Sequence, residues 1–360
     1  MKPDFVNTRT SSKLMGMHNL VLGIETSCDE TAAAVIEGGR KALSNVVASQ
    51  VDIHKEYGGV VPEIASRKHV ELILAVVEKA LSDAGVGTAE IEAVAVTNGP
   101  GLIGSLMVGL STAKALAYGL GVPLIGVNHL EAHLSAVHLE NEAEFPFVGL
   151  VVSGGHTSLY LVSGHTEFEI IGKTRDDAAG EAFDKAAKVL GLEYPGGVAI
   201  DRLAKEGDRE AIQFPRPFRS SSSFDFSFSG LKTSLVYYLR KNPDPGEGQL
   251  KDICACYQEA IAETLTEKTL LAAKEHGVRT VVMAGGVACN SRLRTLAKER
   301  FAEEGITLLI PSPYYCTDNA AMIGALGAAR LRRGETSDLS INPYSTSRPR
   351  YIRGKGMVSG

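Results

Sequence analysis

Two histidines four residues apart, in His129-Leu-Glu-Ala-His133, close the apolar run Val122-Pro-Leu-Ile-Gly-Val-Asn128. At about 100° of helix per residue their imidazoles fall about 40° apart on one face, a spacing at which two ring nitrogens can grip one metal ion. A zinc peptidase of the His-Glu-x-x-His kind needs its glutamate directly after the first histidine, and Leu130 holds that place. Glu131 lies about 200° around the helix from His129 and points elsewhere. Asn128, with Glu131 three residues later, reads as an N-cap and its capping box. For the bare pair two readings stand: a shared metal ion, or ordinary helix residues.

Other residues could complete a site. Asp318, in Pro311-Ser-Pro-Tyr-Tyr-Cys-Thr-Asp318-Asn-Ala-Ala-Met, ends a strand and opens an Ala-rich helix, where capping is its default role. If two lobes face each other it completes a two-histidine, one-carboxylate set with open positions, which favours iron(II) or zinc. Asp176-Asp-Ala-Ala-Gly-Glu-Ala-Phe-Asp184-Lys-Ala-Ala-Lys188 runs from acidic to basic, as a helix dipole prefers, and two turns separate Asp176 from Asp184 on one face. That face is either solvated or a binder of sugar hydroxyls, with Asp201, after Tyr194-Pro-Gly-Gly197, as a second carboxylate.

Three Gly-rich or Lys-containing turns need sorting. Val281-Val-Met-Ala-Gly-Gly-Val-Ala-Cys-Asn-Ser-Arg292 joins a strand to a helix over Arg292 to Glu303, a junction whose amides can receive a phosphate or a base edge; Asn290 there either binds or caps. Gly99-Pro-Gly-Leu-Ile-Gly104 matches G-x-G-x-x-G before a helix from about Ser105 to Leu120. The next strand ends in Asn128-His129 rather than an acidic residue, which argues against a dinucleotide site. Ser229-Gly-Leu-Lys-Thr233 lacks the first glycine of a P-loop, so Lys232 meets a phosphate or simply faces solvent.

The elements that position these residues alternate, short apolar strands with helical patterns, which predicts an α/β architecture. Leu20 to Ile36 and Phe147 to Val162 each read as strand, small polar turn, strand. Their likeness at a separation of about 125 residues predicts two lobes of similar plan, each with a turn able to bind an anion. At 360 residues the chain can build two cores, and 44% hydrophobic content with 38 glycines describes a globular protein rich in tight turns. The first 18 residues are polar and lack a signal peptide's apolar core, which predicts a cytoplasmic protein with Met17 as a second start candidate. Five cysteines (Cys28, Cys254, Cys256, Cys289, Cys316) with no C-x-x-C pair read as dispersed buried thiols. A net charge of −5 excludes a broad basic face, leaving Arg67-Lys68, Arg216, Arg219 and Arg348 to Lys355 as local patches for an RNA backbone.

Taken together, Gly23-Ile-Glu-Thr-Ser-Cys-Asp-Glu-Thr31, Pro62-Glu-Ile-Ala-Ser-Arg-Lys-His69, His129-Leu-Glu-Ala-His133, Val152-Ser-Gly-Gly-His-Thr157, Gly180-Glu-Ala-Phe-Asp-Lys185, Tyr194-Pro-Gly-Gly197 and Gly285-Gly-Val-Ala-Cys-Asn290 resemble the bacterial TsaD family, from about Leu20 to Arg333. These are tRNA adenosine threonylcarbamoyltransferases, once described as glycoprotein endopeptidases. The resemblance implies the two-lobed actin, hexokinase and Hsp70-like (ASKHA) fold with a central cleft. It implies an extension over 1–17, an N-terminal lobe over 18–145 with 318–360 packing back on it, and a C-terminal lobe over 146–317. The implied reaction moves the threonylcarbamoyl group of threonylcarbamoyl-adenylate to the exocyclic amine of the adenosine 3′ of the anticodon, in tRNAs reading codons that begin with adenine. The matching positions assign one divalent metal, Fe(II) or alternatively Zn(II), to His129, His133 and Asp318. They assign the adenylate to Val151, Val152, Ser153, Gly154, Gly155, Asp184, Gly197, Asp201 and Asn290. A shorter homologous subunit (TsaB-like) and a small ATPase (TsaE-like) are the implied partners, with no membrane. Metallopeptidase activity and an ATP-hydrolysing scaffold are the alternatives, the first disfavoured by the displaced glutamate.

Overall fold

The two strand-turn-strand units begin two sheets of the same plan. In the computed structural model, which describes residues 19–217 and 222–345, the chain opens with β1 (Leu20–Glu25), β2 (Glu30–Glu37) and β3 (Lys41–Ser49). Helices α1 (Val51–Lys55) and α2 (Pro62–Ala84) lead to β4 (Ala93–Gly99), α3 (Ile103–Leu120), β5 (Leu124–Asn128) and α4 (His129–Ser135). The second half repeats this order with β6 (Phe147–Val152), β7 (Thr157–Gly164) and β8 (Glu167–Lys173). It continues through α5 (Ala179–Val189), α6 (Gly196–Ala204), α7 (Ser229–Lys241) and α8 (Glu247–Glu275). It closes with β9 (Thr280–Ala284), α9 (Ser291–Glu303), β10 (Thr307–Leu309), α10 (Pro313–Cys316) and α11 (Ala320–Arg332).

The sheet orders are β3-β2-β1-β4-β5 and β10-β9-β6-β7-β8. In each, the first strand pairs antiparallel with the second and parallel with the fourth, so the internal repeat read from the sequence is a repeat of topology. The extension 1–17, Met17, Arg219 and the Arg348 to Lys355 patch lie outside the described residues.

β1 is buried along its whole length because helices cover both faces. Leu22 and Ile24 pack against Ile73, Val77 and Leu110 of α2 and α3, while Val21 packs with Ala132, Met322 and Leu326 of α4 and α11. Each large apolar side chain so buried contributes about 1.5–3 kcal/mol. Close approach of α11 to the sheet depends on small residues. A Cβ on Gly23 would meet the Ala320 carbonyl at 2.4 Å, and one on Gly327 would meet the Ala95 Cβ at 2.3 Å.

The site's position follows from two crossing helices. α4 leaves the last strand of the first sheet and packs its other face, Leu130 and Leu134, on Phe147, Val151 and Val282 of the second. α11 follows the last strand of the second sheet and packs back on β1, β2, β4 and β5 of the first. The two helices also pack on each other, so their N-terminal ends meet between the lobes. Among the described residues one helix, Ile103–Leu120, is long and apolar enough to cross a membrane by length and composition; it packs on α2 and β4.

Candidate metal centre and interlobe cleft

All seven residues of α4 are buried, which puts both histidines where a polar ring needs a partner. Asn128 caps the helix as expected, its carbonyl oxygen accepting from the Leu130 and Glu131 amides. The capping-box role expected for Glu131 gives way to an ion pair: Oε2 accepts from the buried Arg330 of α11 at 2.6 Å, locking the crossing helices together. Asp318 does not cap α11. Asn319 does, accepting from the Met322 amide, and this leaves the Asp318 carboxylate for the histidines.

The three residues converge. His133 Nε2 lies 3.1 Å and His129 Nε2 3.5 Å from Asp318 Oδ1, and the candidate ligand atoms all fall within 4.8 Å of one another. Behind His129, Nδ1 is 3.0 Å from Glu25 Oε2 and 3.2 Å from Ser27 Oγ, while Thr97 Oγ1 donates to the same carboxylate. A carboxylate on the far ring nitrogen fixes the tautomer and turns the other nitrogen toward a metal. Burial works against charge on His129, but Asp318 and Glu25 outweigh it and hold its pKa up to about 9. Burial likewise opposes the Asp318 anion, and His129 and His133 outweigh it, keeping this carboxyl well below the usual range. Two nitrogens and a carboxylate, preoriented and almost dry, suit a borderline divalent ion, so the donor set fits the metal. Glu25→Gln should lower divalent-metal affinity about 10–100-fold, read by competition with a chelator. Unchanged affinity would remove Glu25 from the site.

His129 and Asp318 open onto a cleft of about 700 Å³ between the lobes. Its walls include the Ser27–Glu30 turn after β1 and the Ser153–His156 turn after β6, the equivalent turns of the two repeats. The second turn is closed by the Ser153 amide donating to the His156 carbonyl at 2.8 Å. A Cβ on Gly154 or Gly155 would meet nothing within 4 Å, so this backbone is open to a ligand. Gly180 is the reverse: its Cβ would strike the Gly154 Cα at 2.6 Å, so glycine is required for α5 to support the turn. Asp184 faces the cleft and accepts from the Gly196 amide at 2.8 Å, with burial lifting its pKa to about 6.

The remaining expected ligands stand differently. Val151 and Val152 are fully buried β6 residues and offer only backbone. Gly197 lies in the first turn of α6. Asp201 accepts from Ser291 Oγ at 2.7 Å, tying α6 to α9. Asn290 caps α9 through the Leu293 amide and donates to Gln258 Oε1 at 2.6 Å, so capping accounts for it, and it is the neighbouring Gly286 that lines the cleft.

Some expectations need correction. Asp176 precedes α5 instead of sharing its face with Asp184, and caps α7 through the Phe228 and Ser229 amides. Arg216 is no free RNA patch, because Glu263 and the Phe214 carbonyl hold its guanidinium. Lys68 pairs with Glu71, whereas Lys232 takes the solvent alternative left open for it, exposed on α7 and outside the cleft wall. All five cysteines are free, but only Cys254, Cys256 and Cys316 are buried as expected, while Cys28 and Cys289 are half-buried.

Sequence reasoning gave no individual role to Glu25, Asp29, Glu30 or His156, although each lies inside a quoted motif. Burial, then Asp29, lifts Glu30 to about 9, so it carries a proton at neutral pH. Burial, then His129, depresses His156 to about 4, so it is neutral. The glycines of Gly99 to Gly104 serve packing: the Leu102 amide donates to the Ser27 carbonyl at 2.8 Å, and a Gly101 Cβ would strike that same oxygen.

A family model described as TsaD, tRNA N6-adenosine threonylcarbamoyltransferase, matches residues 41–325. A protein of that name from Syntrophus aciditrophicus is 58% identical over 328 residues, covering 91% of this chain and 96% of that one. One from Syntrophotalea carbinolica is 55% identical over 327 residues, with the same coverage. Among solved structures, full-length HypF in its phosphate- and nucleotide-bound form superposes with a TM-score of 0.59 at 14% identity, over 88% of this chain and 56% of that one. Component A of (R)-2-hydroxyglutaryl-CoA dehydratase from Acidaminococcus fermentans gives 0.52 at 15% identity, over 87% and 99%. At such identities the likeness is one of fold, and it agrees with two duplicated sheets facing a cleft.

Proposed function

Because the chain belongs to the TsaD family of tRNA N6-adenosine threonylcarbamoyltransferases, we propose that its interlobe cleft binds threonylcarbamoyl-adenylate beside a divalent metal ion and presents it to tRNA. The chain is a transferase that places a threonylcarbamoyl group on the N6 amine of an adenosine in tRNA. The adenosine 3′ of the anticodon, in tRNAs reading codons that begin with adenine, is the proposed acceptor. One observation carries this reading: the His129, His133 and Asp318 cluster and the open Ser153–Gly155 backbone belong to one cleft.

The chain's own groups divide the work. His129, His133 and Asp318 would hold the ion, Fe(II) or Zn(II), which when bound supplies Lewis acidity for the donor's carbonyl. The Gly154 and Gly155 amides hold the phosphate of the leaving adenylate, the Ser153 amide being used to close the turn. Asp184 takes the ribose hydroxyls, with Gly197, Asp201 and Asn290 shaping the purine side. Holding amine and carbonyl together supplies much of the rate, since a mixed anhydride already has a good leaving group. Asp29, which lines the same cleft, is the proposed acceptor of the amine proton, because Glu30 beside it already carries a proton and neutral His156 has too low a basicity to retain one.

A peptidase reading finds no support: Leu130 stands where the general base would be, and Glu131 is committed to Arg330. The exposed apolar strip Val70, Leu74 and Met107 on α2 and α3 supports docking of a shorter homologous subunit, with a small ATPase as second partner. A tRNA substrate supports a cytoplasmic location. Purified chain, with those partners, metal, adenylate donor and tRNA, should yield threonylcarbamoyl-modified nucleoside in digests. Peptide cleavage without tRNA modification would refute the reading. If Asp184 must be ionised to accept ribose hydroxyls, adenylate affinity should fall about tenfold per pH unit below about pH 6. Asp184→Asn should flatten that profile, and an unchanged profile in calorimetry would put the ribose elsewhere.

A further inference from the structure

Two loops of the first lobe reach the cleft wall, Cys28 to Glu30 at the β1–β2 turn and Gly58 to Val60 before α2. Both rest on a polar cluster outside the metal centre. It consists of Thr31 of β2, Gln50 before α1, His54 of α1 and His69 of α2, each at most 1% exposed. His69 is at its centre. Its Nε2 lies 2.9 Å from the Cys28 carbonyl, and since a carbonyl only accepts, the ring proton sits on Nε2. The other nitrogen is then an acceptor, and Nδ1 faces the Thr31 hydroxyl at 2.8 Å and the Gln50 side-chain amide at 3.5 Å. Burial holds the ring below the ordinary histidine pKa, so it keeps this neutral form at pH 7. Gln50 adds a second tether, its backbone amide donating to the Asp29 carbonyl at 3.0 Å. His54 serves the other loop: its carbonyl accepts the Tyr57 and Gly59 amides, and its Nδ1 accepts the Val61 amide at 3.3 Å.

His54 Nε2 and Gln50 Oε1 are buried without a hydrogen-bond partner. Unpaired buried polar atoms cost stability, and apolar side chains of the same shape would avoid that cost. Stability alone does not account for such a cluster, whereas its contacts with the turn do. The Cys28 carbonyl belongs to the peptide plane before Asp29, and the Asp29 carbonyl to the plane after it. Holding both planar units fixes the direction in which the Asp29 Cβ leaves the backbone. We propose that His69 is a positioning residue for the transfer, fixing through the Cys28 carbonyl the backbone from which Asp29 meets the amine. This role rests on Asp29 as the acceptor of the amine proton.

The test compares His69→Leu, His69→Gln and Asp29→Asn in the full-length chain with its partners, metal, adenylate donor and tRNA. Leucine removes both hydrogen bonds, whereas glutamine keeps a donor for Cys28 and an acceptor for Thr31. Since misplacing a catalytic group by about 1 Å can cost about 100-fold, His69→Leu should lower kcat by about that factor, with KM for adenylate and tRNA within about twofold. Metal content should not change. His69→Gln should regain at least about tenfold of the loss by restoring the hydrogen bond. In an Asp29→Asn background His69→Leu should cost no more than about a further twofold, because the group it positions is already gone. A full additional loss there would overturn the proposal, as would a wild-type kcat in His69→Leu, a loss confined to KM, a loss of metal, or glutamine no better than leucine. Where circular dichroism shows the leucine variant unfolded, Thr31→Val makes the same comparison, with a kcat loss that must vanish in the Asp29→Asn background. Asp29→Asn alone separates the two ideas. Wild-type turnover in that variant would remove Asp29 as the acceptor and this role of His69 with it, whereas additive losses remove only the role of His69.

Discussion

Asp318→Asn should empty the metal centre and abolish most transfer while the protein stays folded. Asn319 caps α11, so removing the Asp318 charge leaves the helix start intact. The loss falls on the site, where Asp318 Oδ1 is the group that both histidines face. Metal content should drop from about one ion per chain to near zero. If Lewis acidity contributes several kcal/mol, and each 1.36 kcal/mol is tenfold in rate, transfer should fall about 1,000-fold or more. His133→Ala should behave likewise. Metal analysis with circular dichroism on the same samples checks both halves, and full occupancy in either variant would dissolve the three-ligand assignment.

Metal loading should be coupled to a proton. In the metal-free protein His129 is held up to about 9, above the ordinary histidine value, while Asp318 stays ionised. His129 therefore contributes stability that is fully present below about pH 6.5 and is lost as pH rises through about 9. A metal ion needs the neutral ring and must displace that proton. At pH 7.5 binding should release about one proton, and apparent affinity should rise about tenfold per pH unit toward pH 9. The metal-induced gain in Tm should widen over the same range, while the metal-free Tm declines. Calorimetry in buffers of different ionisation enthalpy measures the proton directly; none released at pH 7.5 would mean His129 is already neutral or not a ligand.

Local rules made part of the site legible. The H-x-x-x-H spacing is a property of one helix, and Asn128 is a local cap, so both could be read from neighbouring residues. The duplicated strand-turn-strand pattern was legible for the same reason and carries most of the fold. Asp318 lies 185 residues from His133, and only the expectation of two facing lobes, together with the resemblance, joined them. Glu25 was opaque because its role depends on β1 and α4 lying side by side, a contact across 104 residues. Asp176 was misplaced because α5 starts at Ala179, and its carboxylate serves the distant start of α7. Arg216 was misread for a related reason, since its partner Glu263 lies 47 residues away. Charge counts along a chain do not reveal which partner the fold delivers to each group.

The most direct test is a crystal structure of the chain loaded with a divalent metal and a non-reactive threonylcarbamoyl-adenylate analogue, with data collected at the metal's absorption edge. One anomalous peak should sit on His129 Nε2, His133 Nε2 and Asp318, with the analogue's phosphate against the Gly154 and Gly155 amides in the same cleft. A metal bound elsewhere, or an analogue whose phosphate lies away from that turn while the His129 cluster stays empty, would contradict the assignment of this cleft as the site of transfer.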